Sequence, residues 1–256
     1  SVCHSEWMSA IPTFDAVELY SSDLALCKPP HYLNDNLVGF AFEYFQQKLF
    51  PEENFLFLHP GAAFVIGIED DPEDLMDILK ARGVSTDKKL IFFPVNNATN
   101  NVHMMSSKTG QGSHWSLLVY DSASATFYHF DSYGGCNYRN ATRLARKLEA
   151  TLPTTVPSSS KDQTSDSKCK PKGSHTHRSK RQPVVEAKSP QQTNGYHCAD
   201  YLLSTARALA QTATEGIAVK DSGKQLHEHV PKAASQLRGD LLKWIKAIEE
   251  EMSKKS

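Results

Sequence analysis

Between residues 89 and 131 the chain carries three short apolar runs: Lys89-Leu90-Ile91-Phe92-Phe93-Pro94-Val95, Trp115-Ser116-Leu117-Leu118-Val119-Tyr120 and Thr126-Phe127-Tyr128-His129-Phe130-Asp131. Each is bounded by polar residues and too short for a buried helix, so each reads as a strand of a central sheet. Helical spacing flanks them on both sides. Upstream, Asn34-Asp35 offers a helix start, followed by Leu37, Val38, Phe40, Ala41, Tyr44, Phe45 and Leu49 at helical intervals. Asp71-Pro72-Glu73-Asp74 opens a second helix with Gly83 as its stop. Tyr20 to Leu24 reads as a short strand and turn, and Phe55 to Ile66 as a loop plus a short helix. Downstream, helices are expected at Arg139 to Leu152, from Cys198 to near Thr212, and at Ala233 to Glu250, with Pro183-Val184-Val185 as an edge strand. Helices, central strands and further helices in one chain predict a single α+β domain.

Residues 153 to 182 interrupt this pattern. Serines, lysines, threonines and histidines follow Pro157 with almost no large apolar side chain. Such a stretch cannot offset the entropy of ordering, so a disordered polar and basic insertion is expected. The expected organisation is a lead-in at 1–15, one domain over 16–250 carrying the insertion, and a tail at 251–256.

Composition narrows the function classes. A net charge of −1 over 256 residues gives no basic field for nucleic acid. No apolar run approaches the roughly 20 residues a membrane span needs. The first residues lack the basic and apolar regions of a secretory signal. Five cysteines, Cys3, Cys27, Cys136, Cys169 and Cys198, are an odd number without repeated spacing. They fit reduced thiols in the cytoplasm or nucleus better than a disulfide framework. Cys169, His175 and His177 match no zinc spacing, so no metal is expected.

Chemistry is concentrated in three places. Gly112-Ser113-His114 sets a histidine at the start of one strand, and Asp131 ends the next. Gln191-Gln192-Thr193-Asn194-Gly195-Tyr196-His197-Cys198 is turn chemistry leading into an apolar helix, so Cys198 falls in the first turn, where the positive end of the helix dipole favours thiolate. A thiolate, a base, an orienting carboxylate and an amide donor are the parts of acyl transfer through sulfur.

In this order the segments Gly112 to Tyr120, Phe127 to Tyr133 and Gln192-x5-Cys198 resemble the sentrin/SUMO-specific protease family of papain-like cysteine proteases. Tyr32 to Phe45 looks most like its deneddylase branch, which acts on the ubiquitin-like modifier carried by cullins. The resemblance covers roughly residues 16–152 and 183–250. It implies a papain-like fold with a central mixed sheet packed between helices, and a monomer that needs no cofactor. It implies His114 as general base, Asp131 as its orienter, Cys198 as nucleophile and Gln192 as oxyanion donor. The implied partners are a ubiquitin-like modifier and its conjugates, cullins included. Trp115 and Tyr32, the latter where tryptophan is usual, would roof a tunnel for the modifier's Gly-Gly tail, and Asp35 would contact that tail. The polar loop from Asn96 to Gln111 would close over bound modifier.

The chain departs from the family at His197-Cys198-Ala199, where Asp-Cys-Gly is usual. His197 is either a solvated loop residue, a source of positive potential, or a disturbance of the loop that carries Gln192. The alternative functions are a SUMO protease, or a weakly catalytic module that holds the modifier.

Overall fold

A computed structural model describes residues 10–11, 13–14, 17–98, 112–154 and 184–254. Most of the expected lead-in, loop residues 99–111, nearly all of the 153–182 insertion, and Cys3 and Cys169 lie outside the described residues.

The three apolar runs pair with one another and gain a short strand at each edge. Strands β3 (Phe55–Phe57), β4 (Leu90–Asn96), β5 (Trp115–Asp121), β6 (Thr126–Phe130) and β7 (Val184–Glu186) lie in that order in one sheet. β3 is parallel to β4 and β7 is parallel to β6, while β4, β5 and β6 run antiparallel, so the sheet is mixed. Strands β1 (Ala10–Ile11) and β2 (Leu19–Tyr20) form a separate antiparallel pair.

Alternation along the strands accounts for the layers. Leu90, Phe92, Leu117, Val119, Tyr128 and Phe130 join a core built with α2 (Asp35–Tyr44), α6 (Cys198–Thr214) and α7 (Gly223–Ser253). Ile91, Phe93, Val95, Leu118, Tyr120 and Phe127 join a second core built with α3 (Pro60–Ile68), α4 (Pro72–Ala81) and α5 (Tyr138–Leu148). Buried on both faces, the middle strands read as continuous apolar runs. The α+β arrangement of a mixed sheet between helices stands as expected.

The helix starts follow their side chains. Asn34 caps α2 by accepting from Leu37 N at 3.1 Å, and Asp71 caps α4 by accepting from Glu73 N and Asp74 N. Gly83, just past α4, has φ 69°, a conformation glycine adopts without steric cost.

Four elements differ from expectation. Residues 21–26 form a helix, α1 (Ser21–Leu26), in place of a turn, because Asp23 accepts from Tyr20 N at 2.9 Å and from Asn34 Nδ2 at 2.7 Å. Phe55–Phe57 is a strand, held as the parallel edge beside β4. α5 stops at Leu148, although Leu152 is buried below it. α7 starts ten residues before Ala233 and carries Pro231 inside it. The buried Leu226 and Val230 make those added turns part of the core, which offsets the hydrogen bond that Pro231 cannot donate.

Among the described residues no helix is long and apolar enough to cross a membrane, and no cluster of His, Cys, Asp and Glu could hold a metal ion.

Candidate active site

Antiparallel pairing puts the start of β5 and the end of β6 at one end of the sheet. Leu117 pairs with Phe130, so His114 and Asp131 each stand just beyond a strand end and close to one another. Asn97 fixes the approach to His114. Its Oδ1 accepts from Ser113 N at 2.7 Å and from His114 N at 3.0 Å. Gly112 has φ 83°, and a Cβ there would lie 1.7 Å from Asn96 Oδ1, so this turn excludes any side chain.

His114 Nε2 meets Asp131 Oδ1 at 2.7 Å. The same carboxylate accepts from Tyr133 N at 2.8 Å and from Asn137 N at 2.9 Å. Burial pushes the Asp131 carboxyl up, but the bonds from His114, Asn137 and Tyr133 outweigh it and hold the pKa below the ordinary value. With Nε2 occupied, the ring's other nitrogen is left for Cys198, which lies near enough to raise the ring's pKa. Burial pulls the imidazole pKa down, and the bonds and charges of Asp131 and Cys198 more than offset this, holding it up at about 9. The ring therefore carries a proton at neutral pH, poised between carboxylate and sulfur.

Cys198 is the first residue of α6 and only 1% exposed. The loop before it is shaped by Asn194, whose Oδ1 accepts from Tyr196 N and His197 N, both at 3.1 Å. Asn194 Nδ2 also meets His197 Nδ1 at 3.0 Å. His197 is thus a fixed part of the turn, and Ala199 is buried in the core.

Gln192 binds this loop to the sheet end. Its N–H donates to Ser132 O at 2.9 Å, and its Oε1 accepts from Ser132 Oγ at 2.7 Å. Nε2 donates one hydrogen to Asn194 O at 2.6 Å, and an amide nitrogen carries a second.

Tyr32, Asp35 and Trp115 come together elsewhere, along a groove of about 950 Å³. Phe64, Val95 and Leu144 also line it, with Asn140 and Arg143 contributed by α5. Ser113 and Trp115, the neighbours of His114 in sequence, are both in its wall. Trp115 is buried and donates from Nε1 to Leu33 O at 3.3 Å, whereas Tyr32 is 49% exposed. A Cβ on Gly195 would lie 3.9 Å from the Tyr32 hydroxyl, so that tyrosine reaches across to the loop preceding Cys198.

Several supports have no signal in the local sequence. Asn137 Nδ2 donates to Val95 O and His114 O, joining the N-terminal turn of α5 to two strands. Gln191 Nε2 donates to Asp131 O at 2.9 Å, and Gln191 Oε1 accepts from Gly134 N. His129, fully buried, lies between Ser116 Oγ at 2.9 Å and Glu186 Oε2 at 3.1 Å, and links three strands in the layer next to the His114–Asp131 pair. Ser116 and His129 are the isolated polar residues inside these apolar strands, and that interruption is the signal that could have marked the layer.

Residues 73–240 match the family model described as Ulp1 protease family, C-terminal catalytic domain. Sentrin-specific protease 8 of Homo sapiens is 30% identical over 195 residues, covering 75% of this chain and 77% of that protein. NEDD8-specific protease 1 of Arabidopsis thaliana is 30% identical over 242 residues, covering 93% of each. Among solved structures, the C-terminal Ulp1 protease domain in complex with Smt3, the yeast ortholog of SUMO, is similar with a TM-score of 0.56 at 18% identity, covering 93% of this chain and 91% of that one. A de-sumoylating protease gives a TM-score of 0.59 at 12% identity, covering 95% and 92%.

Proposed function

This chain belongs to the Ulp1 protease family, and on that footing we propose that it is a thiol protease cleaving after the C-terminal Gly-Gly of a ubiquitin-like modifier, with the cullin modifier NEDD8 preferred. The observation that carries the reading is His114 held between the Asp131 carboxylate at 2.7 Å and the Cys198 sulfur, all three buried beside the groove of Tyr32 and Trp115.

Cys198 Sγ attacks the carbonyl carbon of the terminal glycine, and the thiol proton resides on His114. The carbonyl oxygen becomes an oxyanion, stabilised by the second N–H of Gln192 and by the backbone N–H groups at the start of α6. Collapse expels the amine, which takes its proton from His114, and leaves a thioester on Cys198. Water then gives a proton to His114 and attacks the thioester, releasing the modifier's carboxylate and restoring the thiol. The Asp131 carboxylate accepts a hydrogen bond from Nε2–H throughout and keeps the reacting ring nitrogen turned to sulfur. Tyr32 and Trp115 confine a tail that only glycine is slim enough to supply. Asp35 contacts that tail as it enters the groove.

Preference for NEDD8 is supported by 30% identity to a NEDD8-specific protease over nearly the whole chain. Incubation with modifiers bearing a C-terminal electrophile tests both parts. The NEDD8 probe is expected to label Cys198 faster than SUMO or ubiquitin probes. Equal labelling by SUMO and NEDD8 overturns the preference, and no labelling by any of them overturns the protease assignment.

A further inference from the structure

Arg238 lies in the middle of α7, forty residues beyond the nucleophile, and is 7% exposed. All of its N–H groups are engaged. Nε and Nη2 grip Asp200 Oδ1 and Oδ2, each at 2.9 Å, in a two-pronged ion pair. Nη2 also donates to Tyr196 O at 3.1 Å, while Nη1 donates to Leu26 O at 3.0 Å and His31 O at 2.9 Å. The guanidinium also lies 5.6 Å from the Tyr196 ring centre.

These acceptors belong to distinct parts of the site. Asp200 is two residues after Cys198, in the first turn of α6, and Tyr196 is two before it. His31 immediately precedes Tyr32. A bond between two helices needs only the Asp200 contacts. The three bonds to main-chain carbonyls, one at the end of α1 and two in loops, do something further, because they fasten the turn carrying Cys198 and the loop carrying Tyr32 to one rigid plane. On the outer side the same two loops meet again, where the Tyr32 hydroxyl faces Gly195.

We infer that Arg238 is a positioning residue that sets the spacing between the Tyr32 loop and the Cys198 turn, and with it the path of the modifier's tail to the sulfur. This rests on the function proposed above. It assigns Arg238 no part in activating the thiol, which is the work of His114. Lysine cannot substitute, since one ammonium cannot span carbonyls on two loops while also pairing both oxygens of Asp200.

The test compares two reactions of the same cysteine. Iodoacetamide needs only the thiolate, whereas the NEDD8 probe needs the tail seated between both loops. In Arg238→Lys, iodoacetamide is expected to alkylate Cys198 within about twofold of the wild-type rate, while probe labelling falls on the order of 10²-fold, the loss that follows a misplacement near 1 Å. Because Arg238→Lys can unfold, the double variant Asp200→Met with Arg238→Met is measured as well. Replacing a buried pair by apolar side chains of similar volume preserves stability in other proteins, and the same split between the two reagents is expected. Wild-type probe labelling in either folded variant overturns the inference, as does a parallel loss of both reactions in proportion to the unfolded fraction. If the wild type reacts with iodoacetamide but with no modifier probe, the proposed function falls and takes this inference with it.

Discussion

The two halves of the site are held in different ways. His114 and Asp131 sit at adjacent strand ends, and their supports, Asn97, Tyr133 N, Asn137 N and the Asn137 side chain, come from the turns directly after β4 and β6. Cys198 and Gln192 sit on a loop and a helix start whose supports are scattered, from Ser132 and Asp131 in the sheet half to Arg238 near the end of the chain. A half built from strand register needs little beyond its own backbone. A half built from a turn and a helix start has to be clamped from outside.

Variants can break or sharpen this contrast, beginning with the largest effect. Cys198→Ala removes the sulfur and should abolish hydrolysis, a loss on the order of 10⁶-fold in the analogous serine enzymes, while modifier binding survives. Residual turnover near the wild-type rate would refute the assignment of Cys198. Asp131→Asn should lower kcat by about 10⁴-fold, since an amide presents the wrong partner to Nε2. That large loss, with a lowered melting temperature as the bond to charged His114 is weakened, is the signature expected of the sheet half.

Gln192→Ala should cost about 10²- to 10³-fold in kcat with KM nearly unchanged. Its Oε1 also accepts from Ser132, so Ser132→Ala separates the two roles. If Ser132→Ala matched the loss in Gln192→Ala, Gln192 would act by tethering the loop and not by donating to the oxyanion.

Stability against pH should reveal the sheet half directly. An unfolded histidine titrates near 6.5, and His114 is held up at about 9 in the fold. A raised pKa means protonation favours folding, so this contribution is complete below pH 6.5 and disappears as pH rises to about 9. Asp131, whose pKa is lowered, contributes above the ordinary carboxylate range and loses that contribution as acid protonates it. A melting-temperature series should therefore decline from neutral pH toward 9.5 or so in the wild type. In His114→Gln the alkaline decline should flatten, and an identical slope in both proteins would contradict the raised pKa.

The smallest effect is expected from replacing residues 155–183 with a short flexible linker. Their composition offers almost no apolar surface to a core, and shortening a loop lowers its closure entropy only slightly. Probe labelling and melting temperature should both stay near wild type. A large fall in either would show that the segment supports the fold or the substrate.

Much of this arrangement was legible in the sequence, and the reason is periodicity. Unbroken apolar runs marked the three middle strands, and caps at Asn34 and Asp71 marked two helix starts. His114, Asp131 and Cys198 could be picked out because each sits where an element begins or ends. Spacing could not show the helix over Ser21–Leu26, which depends on Asp23 meeting Asn34 across a turn. Nor could it show the early start of α7, where tertiary burial of Leu226 and Val230 overrides a proline. Arg238 was hidden most completely. Its five bonds reach Asp200, Tyr196, Leu26 and His31, three of them residues whose carbonyls look like any others in the chain.

The placement of Arg238 also has a consequence in time. A ribosome releases His114 and Asp131 first, then the nucleophile, and last the guanidinium that aligns the nucleophile with its substrate channel. A nascent chain therefore carries a thiol long before it carries a working protease. Competence arrives only once α7 is made, and a message cut short before that helix would yield a product unable to process the modifiers around it.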